Sequence, residues 1–442
     1  MEFKHSTPLP NGWTILSLES VCKKITSGGT PSRKHPEFYE GGTIPWVKTK
    51  ELNDSWIYDT EEQITDKGLN SSSAKLLPRN TILLAMYGAT VAQLGILSHE
   101  MTCNQASCAL IADEEKAHFR FLFYLLLAHR KMIKSLSVGA AQQNLSAKQV
   151  KQFSFRFPPI EEQRAIAHIL GTLDDKIELN RQMNRTLEAM AQTLFKSWFI
   201  DFDPVVLNAL RAGNPIPEKF AQRAVHYRDN PNALGLPEET LRQFPDHFQD
   251  SELGPIPEGW RVGIVSDLAT IASGKRPKKR SKEKNVEFRI PLYGGGGIMA
   301  YVEEPLVTEP LLLTGRVGTL GKIFRISEPC WPSDNTLILF PKKKIYFHFV
   351  FFMLQLIEFE SLNRGSTQPL VTQMDLSNQS LVIPNANVSN LFWVNVYSLF
   401  EKIDKSLEES SILSSLRDTL LPKLISGELR VPDAEKLLEE AL

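Results

Sequence analysis

The chain has 442 residues, of which 42% are hydrophobic and 23% charged, and its formal net charge is −1. This is ordinary globular composition at a length suited to about three domains, which excludes a disordered tail. The longest apolar stretches, around 121–128 and 347–357, are broken by Arg120, His129 and His348 and fall short of the ~18–20 residues that cross a bilayer.

The opening segment, MEFKHSTPLPNGW, has no apolar signal core, so a cytoplasmic location with no membrane partner is expected. Cys22, Cys103, Cys108 and Cys330 form no CxxC pair and no even ladder, which points to free, mostly buried thiols and to no metal site. The near-neutral total conceals a pattern. Residues 1–158 carry 18 basic and 14 acidic side chains and 255–384 carry 16 and 12, whereas 159–205, 206–254 and 385–442 sum to −3, −2 and −4. Two separated basic stretches suit two regions that approach an anion while the rest faces protein or water.

The first part, 1–158, opens on LPNGWTILSLESV at 9–21 and continues to Ser27-Gly28 and Pro31. A donor-rich loop follows, with Thr30, Arg33 and Lys34. Short β-rich runs such as 82–86, punctuated by Gly and Pro, lead to an apolar helix near 118–136. Gly139-Ala140-Ala141-Gln142, with Gln143 and Asn144, then offers amides able to read adenine bidentately, although a glycine turn with a capping amide fits equally. Pro158-Pro159 breaks the chain before a long helix.

From about 160 to 199 there is no Pro and only Gly171 in the interior, and Ile166, Leu170, Leu173, Ile177, Leu187, Ala191 and Leu194 follow a heptad-like seam. Forty helical residues extend ~60 Å. The seam turns polar at Asn180 and Asn184. Residues 206–254, with Pro215, Pro217, Pro231, Pro237 and Pro245, read as an extended connection over the surface.

The second part repeats the first. IPEGWRVGIVSDL at 256–268 answers 9–21, Ser273-Gly274 and Pro277 answer Ser27-Gly28 and Pro31, and LLLTGRVGTLGKI at 311–323 answers ILLAMYGATVAQLG at 82–95. From Gly139/Gly365 onward the copies keep a constant register, with Gln142/Gln368, Ser146/Thr372, Pro158/Pro384 and Ile177/Ile403. The second loop is far more basic: Lys275, Arg276, Lys278, Lys279, Arg280, Lys282 and Lys284 are opposed by Glu283 alone. Such a run fits phosphate contact or a merely solvated face. Gln368 stands where the first copy has Gln142. The C-terminal region 385–442 offers a second seam, Phe392, Val396, Leu399, Ile403, Leu413 and Leu420, which turns polar at Ser406 and Ser410. If the two helices pair antiparallel, the two polar centres meet and fix register.

Catalytic motifs are near misses. Phe157-Pro158-Pro159-Ile160 lacks the acceptor side chain and the aromatic ring of an amino-methyltransferase loop. The glycine-rich stretch from Gly315 to Ile323 has one residue too many and no hydroxyl after Lys322 to be a phosphate loop. The expected fold is α+β, with two duplicated mixed α/β domains, 1–158 and 255–384, joined by two long helices in an antiparallel coiled coil.

The alternation of domain and helix, the NGW and EGW starts, the segment PPIEEQRAIAHILGTLDDKIELNRQMNRTLEAMAQTLFKSWFIDFDPV and the Asp250-Ser251-Glu252-Leu253-Gly254 lead-in resemble the specificity subunit of type I restriction-modification enzymes over nearly the whole chain. The resemblance implies a non-catalytic subunit of an adenine methyltransferase and restriction endonuclease. Its two target-recognition domains would each read half of a bipartite double-stranded DNA sequence, and its helices would dock two methyltransferase subunits, with motor-nuclease subunits joining for restriction. S-adenosylmethionine, ATP and magnesium would belong to those partners. Glu162-Gln163 has no counterpart at the second helix start, so the docking surfaces could be unequal. The competing classes are a self-sufficient methyltransferase-nuclease and a coiled-coil scaffold without DNA contact.

Overall fold

The computed structural model describes residues 8–136, 144–365 and 369–441, with side chains to 437. They form two units, one made of 1–181 and 407–442 and the other of 182–406.

In the first unit, Thr14–Ser17 pairs antiparallel with Ser154–Phe157 and so joins the two ends of the domain. The main sheet has the order Cys22–Ser27, Ser107–Ala112, Ile82–Ala85, Leu94–Leu97, Ser55–Ile57; a smaller sheet places Ile44–Val47 between Gln63–Ile64 and Thr102–Cys103. The central strands are apolar on both faces because one face packs on the Phe119–Ala128 helix, where Phe121 to Leu126 are all buried, and the other on Val47, Leu52, Leu77 and Met101. That helix in turn packs on the long helix Ile160–Phe199, through Ile166, Leu170 and Leu173.

The second unit repeats this plan. Arg261–Ile264 pairs with Ser380–Ile383, and the main sheet runs Ala269–Ser273, Thr336–Pro341, Leu311–Gly315, Ile323–Ile326. Its small sheet places Ile290–Gly294 between Gly297–Val302 and Trp331–Pro332. The short helices before the final domain strands begin on the same device. Ser146 Oγ accepts from Gln149 N at 3.2 Å, and Thr372 Oγ1 accepts from Asp375 N at 3.2 Å, each within a reciprocal capping box.

The long helices are Ile160–Phe199 and Ala386–Ser426. Within the first unit they run antiparallel: Arg417 Nη1 donates to Asp174 Oδ1 at 2.7 Å, and Asn180 Nδ2 donates to Glu409 at 2.7 Å and to Ser410 Oγ at 3.2 Å. Within the second unit Ser406 Oγ donates to Asn184 Oδ1 at 2.8 Å, while Phe195 packs on Phe392 with centroids 5.9 Å apart. The polar residues of the two seams therefore meet, as their placement predicts. Asn180 is 1% exposed, so its amide must find partners, and an offset of one turn would remove them.

One sequence expectation is corrected. Residues 206–254 do not form an extended connection: they carry helices Ala221–Asp229 and Glu238–Leu241, and Asp203–Ala212 runs into them. Val205, Val206, Leu207, Phe220, Tyr227, Leu241 and Phe244 are buried in the second unit's core. The prolines punctuate short helices here, with Pro204 in a first turn and Gly213, at φ 74°, closing the last.

Glu162 and Gln163 belong to the interior of the first unit. Glu162 accepts from Trp13 Nε1 at 3.2 Å and pairs with Arg430 at 3.1 Å, and Gln163, 1% exposed, bonds the main chain of Pro158, Lys116 and His118. In the second unit Val388 takes the place of Glu162, and the Trp260 indole lies instead among Phe199 and Phe202. The four thiols are free, and burial pushes Cys103 and Cys108 up to about 12.

The units also differ at one sheet edge. In the first, the excursion 48–62 supplies Ser55–Ile57 as a fifth strand, and its Trp56 meets Phe119 and the Arg120 guanidinium. In the second, only Gly295 and Gly296 connect the corresponding strands. The edge strand Ile323–Ile326 stays open above a cavity of about 560 Å³ lined by Arg325, His348, Trp393, Tyr397 and Phe400.

Candidate nucleic-acid interface

In the first unit three loops meet at one end of the main sheet. The strand Cys22–Ser27 runs into Gly28, whose N–H donates to Ser107 O at 3.1 Å and whose missing Cβ would collide with the carbonyls of Cys103 and Asn104. Trp46 Nε1 donates to Gly29 O at 2.9 Å and holds the start of the loop down. Beyond this anchor Thr30 is half-buried, and Arg33 and Lys34 are exposed. Arg33 lies 4.2 Å over the Tyr39 ring and pairs with Glu62 at 2.6 Å. Hydrogen bonds from Lys48 and then Arg33 hold the Glu62 carboxyl below its ordinary range. Part of the donor capacity of this loop is thus used internally. The second loop turns at Gly88, φ 69°. The third joins it where Leu145 N donates to Met86 O at 2.9 Å and Asn144 bridges Tyr87.

The second unit builds the same mouth from different side chains. Gly274 N donates to Thr336 O at 3.2 Å, and a Cβ there would meet the carbonyls of Ser333 and Pro332. Trp331 Nε1 donates to Lys275 O at 2.7 Å. In the parallel pairs Trp46 stands opposite Thr102 and Leu292 opposite Trp331, so the indole has moved to the neighbouring strand while the bond to the loop is kept. Val371 N donates to Arg316 O at 2.9 Å, and Val317 bridges Leu370, as Leu145 and Asn144 do in the first unit.

Lys275, Arg276, Lys278, Lys279 and Arg280 are all exposed. Lys279 approaches Glu303 at 3.4 Å, a surface pair of small energy. A dense, accessible cationic run beside the mouth is what a phosphate backbone requires. Gln142, Gln143 and Gln368 lie outside the described residues. Asn144 is exposed at the junction of the second and third loops. In the second unit Gln373 Nε2, beyond the third loop, donates to Ser273 Oγ, at the start of the first, at 2.8 Å.

Sequence reading misses the floor of the second mouth. Arg316 Nη1 donates to Ser273 Oγ at 3.2 Å, and Gln373 Nε2 donates to the same oxygen at 2.8 Å. In the sequence Arg316 stands out only as part of an imperfect phosphate loop. The fold, and not the sequence repeat, pairs it with Met86 of the first copy, because the carbonyls of both residues accept from the third loop, from Leu145 and Val371.

The family model for the type I restriction modification DNA specificity domain matches residues 10–189 and 257–409, and the chain belongs to that family. Its two duplicated domains are the target-recognition domains of a specificity subunit. The chain is 26% identical over 468 residues to the MjaIX specificity subunit of Methanocaldococcus jannaschii, covering 98% of this chain and 97% of that one. It is 28% identical over 466 residues to the HindI specificity subunit of Haemophilus influenzae, covering 94% and 99%. The crystal structure of an S subunit from Mycoplasma genitalium shares the fold, with a TM-score of 0.56, 18% identity and coverage of 96% of this chain and 98% of that chain.

Proposed function

We propose that the chain is the non-catalytic DNA reader of a type I restriction-modification complex. Each domain reads one half of an asymmetric bipartite target through its three-loop mouth. The duplication of that mouth, on one backbone plan with different side chains, is the observation that carries the reading: two readers of one design suit two unlike half-sites. The partners are double-stranded DNA, two methyltransferase subunits and motor-nuclease subunits, all in the cytoplasm. S-adenosylmethionine, ATP and magnesium are held by the partner subunits.

Docking on the long helices is supported by Leu179, Met183 and Met190 on the first and Leu407 and Ile412 on the second, large apolar side chains left exposed on otherwise amphipathic elements. Among the described residues no helix is long and apolar enough to cross a membrane.

The test is methylation of duplex DNA by the purified chain, alone and with its cognate methyltransferase subunit. The expected result is no transfer alone and adenine methylation at one bipartite sequence with the partner. Transfer by the homogeneous chain would mark a self-sufficient enzyme, and sequence-independent transfer by the complex would reduce the chain to a scaffold.

A further inference from the structure

We infer that Arg316 is a specificity-determining residue of the second domain and reads a guanine in that domain's half-site. The inference rests on the DNA reading above. Arg316 leaves the end of strand Leu311–Gly315, at the point where the three loops meet. Its N–H donates to Asn335 O at 2.9 Å and its carbonyl accepts from Val371, so the main chain on both sides is fixed. Gly295, Gly315 and Thr319 pack without room for a Cβ on either glycine, which stiffens the wall from which the side chain emerges.

The guanidinium is half-buried and incompletely used. Nη1 reaches Ser273, while Nε is buried with no hydrogen-bond partner among the described residues. Two more buried atoms share that condition, Thr314 Oγ1 two residues earlier in the chain and Ser333 Oγ beside Gly274. Buried polar atoms of folded proteins are nearly always paired, and each one that is not calls for an explanation.

The first domain shows that the fold does not require this polarity. The residues at the corresponding positions are Met86 and Leu84, 1% and 0% exposed, and Asn104, whose Oδ1 accepts from Ser107 Oγ at 3.0 Å. One copy has closed this floor with apolar or satisfied groups, whereas the other has placed a forked donor there beside Lys275 and Arg276. The guanidinium fork matches the O6 and N7 acceptors on the major-groove edge of guanine, and no other base presents that pair. Ser273 and Gln373 orient the fork and are positioning residues.

The experiment uses the full chain with its cognate methyltransferase subunit on duplexes randomised in both half-sites, with methylated products sequenced. Wild type, Arg316→Met and Arg316→Lys are compared. Methionine is the residue that the first domain accommodates at this position, and lysine keeps the charge without the fork. Discrimination at one guanine position of one half-site should fall roughly 5- to 150-fold in Arg316→Met and by a smaller factor in Arg316→Lys, with the other half-site unchanged. Thermal unfolding should match wild type. If Arg316→Met does not fold, Arg316→Lys decides alone. Unaltered discrimination, equal weakening at every position, or a loss at a base pair without guanine would overturn the inference. A wild-type complex that methylates without sequence preference would instead remove the DNA reading beneath it.

Discussion

His348 should make the second unit sensitive to mild acid. The ring is 4% exposed and lies parallel to Phe400, with centroids 4.4 Å apart and planes at 3°. Burial first, and the nearby Arg325 second, push its pKa down to about 3. Arg325 is itself tied to Asp404, with one bond of 2.9 Å, so it cannot move away at little cost.

The unfolded chain takes up this proton near pH 6.5 and the folded chain does not until about pH 3. The contribution to stability is therefore complete above about pH 6.5 and is lost as pH falls, at about 1.4 kcal/mol per pH unit. Between pH 7 and 5 this ring alone removes ~2 kcal/mol. His348→Phe keeps the aromatic stack and eliminates the titration. Urea unfolding of both proteins across that range, followed by hydrogen exchange at the amides of the second unit, should show a wild-type loss about 2 kcal/mol greater than the variant's. Carboxylates such as Asp203, raised by burial, and Asp375, lowered by Thr372 and Arg364, are common to both proteins and cancel in the difference. Parallel stability curves would mean that the ring can be protonated in the folded state and that the burial argument is wrong.

Gly171→Ala should stabilise the fold by less than the ~1 kcal/mol by which alanine favours a helix. The added Cβ collides with the Arg120 guanidinium, which is held by Asp175 in two bonds of 2.9 and 2.6 Å. Adding Arg120→Ala should then cost less than it does in the wild-type background, and strict additivity of the two changes would refute the clash. Replacing Lys278, Lys279 and Arg280 with alanine should weaken binding to all duplexes alike and flatten the log–log salt dependence by roughly 0.9 for each phosphate that is no longer neutralised; an unchanged slope assigns the run to a solvated face.

Much of the frame is legible in the sequence because periodicity is dictated by burial. The helix read from 160 to 199 has those bounds, and Ile166, Leu170 and Leu173 point inward as their spacing requires. The polar interruptions at Asn180, Asn184, Ser406 and Ser410 are legible for the same reason: a buried polar group in an apolar seam demands a partner. Residues 206–254 escape such a reading because their helices are too short for periodicity to accumulate, and a proline at each helix boundary has the same local signature as an extended chain. The mouths are only half legible. Charge density marks Lys275 and its neighbours, but the anchoring of Arg33 on Glu62 and Tyr39 depends on residues brought together by the fold, which no local pattern reveals.

The Glu162-Gln163 difference is one of packing. Two polar residues at a helix start, absent from the other copy, do not reveal from sequence alone what they face. In the first unit, however, Glu162 receives the Trp13 indole and Arg430, and Gln163 closes three main-chain groups. The second unit has Val388 and Ser389 at those positions and covers Trp260 with Phe199 and Phe202 instead. Each copy has solved the burial of the same tryptophan separately, one with charge and the other with aromatic packing. The same exchange separates Met86 from Arg316 and Trp56 from the open cavity beside His348. After duplication the backbone plan was free to keep its pairing partners, since hydrogen bonds between main-chain groups constrain no side chain. Divergence then fell on side chains in the mouths and on the packing behind them, which is where two readers of unlike half-sites have to differ.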